Sequence, residues 1–95
     1  MSFWRFVEML RQKGLIGPVW GVADLRRHMR RYFAENTLVT VPANSAIDSD
    51  TWIGGDYVQK GMAAQCVRIK RGLYALMSED VGETLVEAEC GKPSA

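Results

Sequence analysis

Gln65-Cys66-Val67-Arg68-Ile69-Lys70-Arg71-Gly72-Leu73-Tyr74-Ala75-Leu76-Met77 is the stretch that decides the fold class. Residues 65–69 and 73–77 are two runs rich in branched and aromatic side chains, separated by three residues that end in glycine. Such side chains suit a pleated, half-buried surface, and a glycine supplies the backbone conformation a tight reversal needs. The stretch therefore reads as a β-hairpin whose tip, Lys70-Arg71, is basic.

Upstream of the hairpin the periodicity changes from two to 3.6. Phe3, Phe6, Val7 and Leu10 fall within one third of a helical circumference, which predicts a core-facing helix from Ser2 to Lys13. Ser2 can cap its amino end, and Gly14 suits the left-handed position that follows the last turn. Leu15-Ile16-Gly17-Pro18-Val19-Trp20-Gly21 is too rich in glycine and proline for a helix and can add a short extended piece to a sheet. A second helix is predicted from Val22 to Phe33 or Ala34, with Val22, Leu25, Met29, Tyr32 and Phe33 on one face and Arg26, Arg27, Arg30 and Arg31 on the other. Glu35-Asn36-Thr37 breaks it. A short third helix is expected from Val41 to Ser49, capped by Thr40 and with Pro42 in its first turn, where a missing N–H is harmless. An extended path through Leu38-Val39-Thr40-Val41 is the alternative, favoured by β-branching. The fold class is thus α+β: three helices, then a hairpin.

Composition narrows the function classes. The chain has 95 residues, 47% of them hydrophobic and 24% charged, which fits one small globular domain and excludes a disordered or collagen-like chain. No apolar run approaches the roughly 18 residues of a membrane-spanning helix, so no membrane partner is expected. Arg5, Glu8 and Arg11 interrupt the apolar start, which is not the pattern of a signal peptide. Two cysteines, Cys66 and Cys90, without a C-x-x-C pair fit a reducing cytoplasm, with Cys66 as a small core residue. The formal net charge of +1 averages two unlike parts. Residues 1–77, the domain, hold eleven Lys/Arg against six Asp/Glu, a balance of +5; residues 78–95, an acidic tail or linker, hold Lys92 against five acids, a balance of −4. The tail lacks a strong period and reads as flexible. As an internal polyanion it could compete for the basic body; a solubilising tail or a linker is the plainer reading.

Catalytic and metal chemistry find little support. Asp48-Ser49-Asp50-Thr51-Trp52-Ile53-Gly54-Gly55-Asp56 resembles a calcium loop, but Trp52 stands at the fifth position and Gln59 at the twelfth, where a bidentate Glu is required. The glycines read better as turns in a surface segment. There is one histidine, His28, at the edge of an apolar stripe and without a ligand partner. No phosphate-cradling loop, nucleophile elbow or paired carboxylates are present, so neither an enzyme nor a cofactor is expected. The arginine face is the more informative feature. Any surface helix shows a charged outer face, but such faces usually mix signs; here Asp24 is the only acid nearby, and four like charges within six residues repel unless a polyanion neutralises them.

Three helices followed by a basic hairpin is the element order of a winged helix. Arg68-Ile69-Lys70-Arg71-Gly72-Leu73-Tyr74-Ala75-Leu76 resembles the closing hairpin of winged helix-turn-helix modules of the HARE-HTH type, which end in a similar F-x-R-V-x-x-G-x-Y-x-L phrase. Thr40-Val41-x-Ala43 with Asp48 beyond, Phe6-Val7-x-x-Leu10 and Val22-Ala23-Asp24-Leu25 are similar to that group's three helices, so the resemblance covers residues 3–77. The chain departs from it at Pro42, inside the third-helix motif, and in a long insert, Ser49–Gly61. Modules of this group occur in RNA polymerase accessory subunits, restriction-system proteins and chromatin regulators. The resemblance therefore implies a nucleic-acid-associated role in transcription regulation or DNA restriction, with nucleoid association in a bacterium.

Placed on that plan, the third helix would offer Thr40, Asn44 and Ser45 to base edges in the major groove, and Asn can pair bidentately with adenine. Lys70 and Arg71 would reach phosphates or the minor groove, and Arg26, Arg27, Arg30 and Arg31 would clamp the backbone of double-stranded DNA. With about three to five phosphate contacts and no arginine reader for guanine, binding should be weak and steeply salt-dependent. A homodimer or a larger complex would make up the difference. The competing expectation is a protein-interaction module that docks through Trp4, Met9, Trp20 and Trp52.

Overall fold

In a computed structural model, which describes residues 2–79, Ser2 opens helix α1 (Phe3–Gln12) by accepting a hydrogen bond from the Arg5 backbone N–H at 3.3 Å. Its stripe buries Val7 and Leu10, as the periodicity requires. The connector delivers strand β1 (Trp20–Gly21) and then helix α2 (Val22–Met29). Gly21 caps α2, and the Asp24 carboxylate accepts its N–H at 2.9 Å.

The expected continuation of this helix to Phe33 or Ala34 is corrected: α2 ends at Met29. The Met29 carbonyl accepts from both Tyr32 and Phe33 N–H groups, which tightens the last turn and swings Phe33 back onto α1. There it meets Phe3 at 5.3 Å and Phe6 at 6.1 Å, both edge-on. Aromatic packing of this kind adds about 0.5–1.5 kcal/mol beyond area burial. Tyr32, expected on the buried face, is 65% exposed.

Helix α3 runs Glu35–Ser45, six residues earlier than the sequence suggested. Glu35-Asn36-Thr37 therefore starts a helix instead of breaking one. Thr40 is not a cap but lies mid-helix, and Pro42 occupies the interior, where it removes the donor that the Leu38 carbonyl would otherwise meet. At the earlier start the Arg26 guanidinium donates to the Glu35 carboxylate across the turn through two hydrogen bonds of 2.7 and 2.8 Å. An acid in the first turn also complements the helix dipole. Leu38 and Pro42 are buried, so the local liability is outweighed by packing against α2 and the sheet.

The sheet has four strands. After α3 come strand β2 (Ala46–Asp48), a turn, and the short helix α4 (Asp56–Gln59), then strands β3 (Cys66–Lys70) and β4 (Leu73–Leu76). The spatial order is β1-β4-β3-β2. β3 and β4 form the expected antiparallel hairpin, with an irregularity between Arg68 and Lys70 and Gly72 at φ +79° in the turn. β1 pairs antiparallel with β4, opposing Trp20 to Tyr74, and a Cβ at Gly21 would lie 2.7 Å from the Gly72 carbonyl oxygen. β2 pairs parallel with β3. The helix expected to run on to Ser49 is corrected: it ends at Ser45, and Ala46–Asp48 leave it to pair with β3 as a strand, while the segment expected to be only surface turns contributes the crossover helix α4. The core lies between helices and sheet, around Leu10, Trp20, Leu25, Met29, Leu38 and Cys66. The acidic tail read from the sequence falls at residues 80–95, outside the described residues, apart from Ser78 and Glu79.

Candidate nucleic-acid interface

α3 presents a different face from the one the sequence suggested. Asn36, Val39 and Ala43 are exposed and Thr40 is half-buried, a stripe at helical spacing. The Thr40 hydroxyl donates to Asn36 Oδ1 at 3.3 Å, so the two polar groups on this stripe orient each other. Asn44 is half-buried. Ser45 is 5% exposed, and its candidacy as a base reader is corrected: it sits at the carboxyl end of α3 where its carbonyl accepts from Gln65 N–H, facing the sheet and not solvent. Asn36 and Val39 were missed because the helix was expected to begin only at Val41, which left both outside it.

The arginine quartet divides in two. Arg26 is already neutralised by Glu35: the paired hydrogen bonds hold the carboxyl below its usual range and push the guanidinium further up. Sequence reasoning counted only Asp24 as a nearby acid, because a partner nine residues away is visible only once the chain has turned. Arg27, Arg30 and Arg31 are exposed and form no ion pair among the described residues, although Arg30 lies close enough to Glu35 to help keep it ionised. Lys70 and Arg71 stand exposed at the hairpin turn and are likewise unpaired among the described residues. Arg68 is not in that group; it donates to Asp48 Oδ2 from Nε at 3.1 Å and Nη2 at 2.6 Å.

Asp48 also explains the failed calcium loop. Its Oδ1 accepts from the backbone N–H groups of Asp50 and Thr51 at 2.8 and 3.2 Å. With Arg68 as the largest cause, these bonds hold the carboxyl below its ordinary range. The carboxylate is thus engaged in the turn itself and in the ion pair. Among the described residues, no group of three His, Cys, Asp or Glu could hold a metal ion. A cleft of about 310 Å³ lies alongside, between the end of α3 and this turn, and its two charged groups, Asp48 and Arg68, neutralise each other.

The tryptophans differ from one another. Trp20 is fully buried against Tyr74 and Trp4, which corrects its place among the docking residues. Trp4 and Met9 are half-buried on the edge of the core. Trp52 is 69% exposed, at φ +58°, with Ile53 beside it. Cys66 is buried, and desolvation pushes its thiol up to about 12, far from nucleophilic character. Among the described residues no helix is long and apolar enough to cross a membrane. No family model, curated protein or solved structure matches this chain.

Proposed function

We propose that the protein binds double-stranded DNA as a winged helix, with α3 against the major groove and the β3–β4 hairpin as the wing. The observation that carries this reading is a set of five exposed cations that form no ion pair among the described residues: Arg27 in the last turn of α2, Arg30 and Arg31 just after it, and Lys70 and Arg71 at the hairpin turn. Removing Arg26 by ion pairing sharpens the set rather than dissolving it. The order α1-β1-α2-α3, then hairpin, with β1 beside β4, supports the same plan. The uncharged stripe on α3 suits contact with bases: Asn36 for an adenine edge, Val39 and Ala43 for thymine methyls. β2, α4 and the turn between them are an addition to that plan.

Up to five phosphate contacts give a slope of about −3 to −4.5 in log K against log salt, and a lone module of this kind binds nearer 10⁻⁴–10⁻⁶ M, roughly, than an operator-specific dimer does. A role in transcription regulation or DNA restriction follows from the resemblance alone. Anisotropy titration of a labelled random-sequence duplex between about 50 and 200 mM salt tests the proposal. Arg31→Ala and Arg71→Ala should each flatten the slope by about 0.9. Absence of binding at the low-salt end refutes it.

A second reading rests on Trp52 and Ile53, two large apolar side chains held out on a hydrogen-bonded turn. It is a protein-docking module of a nucleic-acid-associated complex. Loss of partner capture in Trp52→Ala, with DNA affinity unchanged, is its signature.

A further inference from the structure

On the side of α1 away from the sheet edge of Trp4, the half-buried Phe6, Met9 and Phe33 and the exposed Tyr32 line an apolar groove of about 510 Å³. Its surroundings are cationic. Arg5 and Lys13 lie one turn before and one turn after Met9, and Arg30 and Arg31 immediately precede Tyr32. All four are exposed, and none is in an ion pair among the described residues. An occupant that fits is apolar at its centre and acidic on both flanks.

We propose that this groove is the docking site for residues 81–89 of the same chain, with Leu85 and Val86 between Phe6, Met9, Tyr32 and Phe33. Three observations support it, and none depends on the DNA reading. The first is the point of departure: Glu79 is fastened to α1, its Oε1 accepting from Arg11 Nε at 2.6 Å. The second is reach. Arg11 and Met9 are separated by about 160° around the helix, measured across the exposed residues Glu8, Gln12 and Arg5. For a helix roughly 10–12 Å across with its side chains, plus half the thickness of an extended chain, about 2.4 Å, that arc is about 21–24 Å. An extended chain covers it in about six to seven residues. Counting from Glu79, the sixth and seventh residues are Leu85 and Val86, which form the apolar pair of the segment Val81-Gly82-Glu83-Thr84-Leu85-Val86-Glu87-Ala88-Glu89. The third is charge: Glu83 precedes that pair and Glu87 and Glu89 follow it, opposite Arg5, Lys13, Arg30 and Arg31.

Native Cys90 makes the test possible in the full chain, because the Cys66 thiol is buried and pushed up to about 12. A nitroxide attached at Cys90 should selectively broaden the amide signals of Phe6, Met9, Tyr32 and Phe33 in a ¹⁵N spectrum, leaving α3 and the hairpin sharp. The double substitution Leu85→Asp, Val86→Asp, outside the domain core, should restore those signals, and so should Tyr32→Ala at the groove. Groove signals that stay sharp in the labelled wild type, or broadening that survives the double substitution, overturn the proposal. A mixed sample, with nitroxide on one population and ¹⁵N on another, separates the remaining case. Broadening there means that the groove takes the tail of a second copy, which also overturns docking within the chain.

Discussion

Replacing Gly55 by alanine gives opposite answers depending on whether local or tertiary structure governs. Gly55 has φ −68° and ψ −177°, a conformation open to any L-residue. By chain entropy alone, Gly55→Ala should stabilise the protein by about 0.4–1 kcal/mol. The fold reverses this. A Cβ at position 55 would stand 2.4 Å from the Ala43 carbonyl oxygen and 2.7 Å from that of Asn44. Both are backbone atoms at the end of α3, so no rotamer change clears the overlap. Separation by about 1 Å is required, and Gly55 N–H also donates to the Ala46 carbonyl at 2.8 Å, a bond that the same movement strains. Overpacking costs about 1–3 kcal/mol and a weakened hydrogen bond about 0.5–1.5 kcal/mol. Set against the entropic gain, the net destabilisation is about 2 kcal/mol. For a domain of this size that lowers Tm by roughly 8–16 °C. Urea unfolding followed by circular dichroism measures it. A Gly55→Ala variant as stable as wild type, or more so, would falsify the close seating of the α4 segment on α3.

Asp48→Asn should blunt acid unfolding. The native Asp48 carboxyl is held low by Arg68 and by two backbone N–H groups, so its contribution is complete above the unfolded-state value and is lost as pH falls through the ordinary carboxylate range, about 4, toward the native value. Stability measured from about pH 6 to pH 3 should decline less in the variant; parallel profiles contradict the assignment. In a Cys90→Ser background, Cys66 should resist a thiol reagent at about pH 8 until the protein is unfolded, since raising the thiol from 9.0 to about 12 cuts the thiolate about a thousandfold. Prompt labelling of the native protein would show that β3 is open to solvent.

What could be read early and what could not follows from the range of the interactions. The hairpin was legible because its signal is local: two β-rich runs, a glycine-ended loop and pairing between near neighbours, with Val67 opposite Ala75 and Arg68 opposite Tyr74. α1 was legible for the same reason, since its cap and its buried stripe lie within twelve residues. The α2–α3 boundary was not. Local rules favour Thr40 as a cap and Pro42 near a helix start, and they were outvoted by Phe33 folding back on Phe3 and Phe6 and by Arg26 reaching Glu35. That one displacement brought Asn36 and Val39 onto the exposed face of α3, while Ser45 is buried at its end.

Residue order by itself settled the α+β composition, the positions of α1, α2's start and the hairpin, and the basic character of residues 1–77. Each of these depends on periodicity, turn chemistry or counting, which act over a few residues. Tertiary structure alone decided which arginines remain uncommitted, which face of α3 meets solvent, and that residues 46–48 join the sheet parallel to a strand twenty residues later. The physical reason is that an ion pair, a buried face and a parallel strand pairing each need a partner brought near by the rest of the chain.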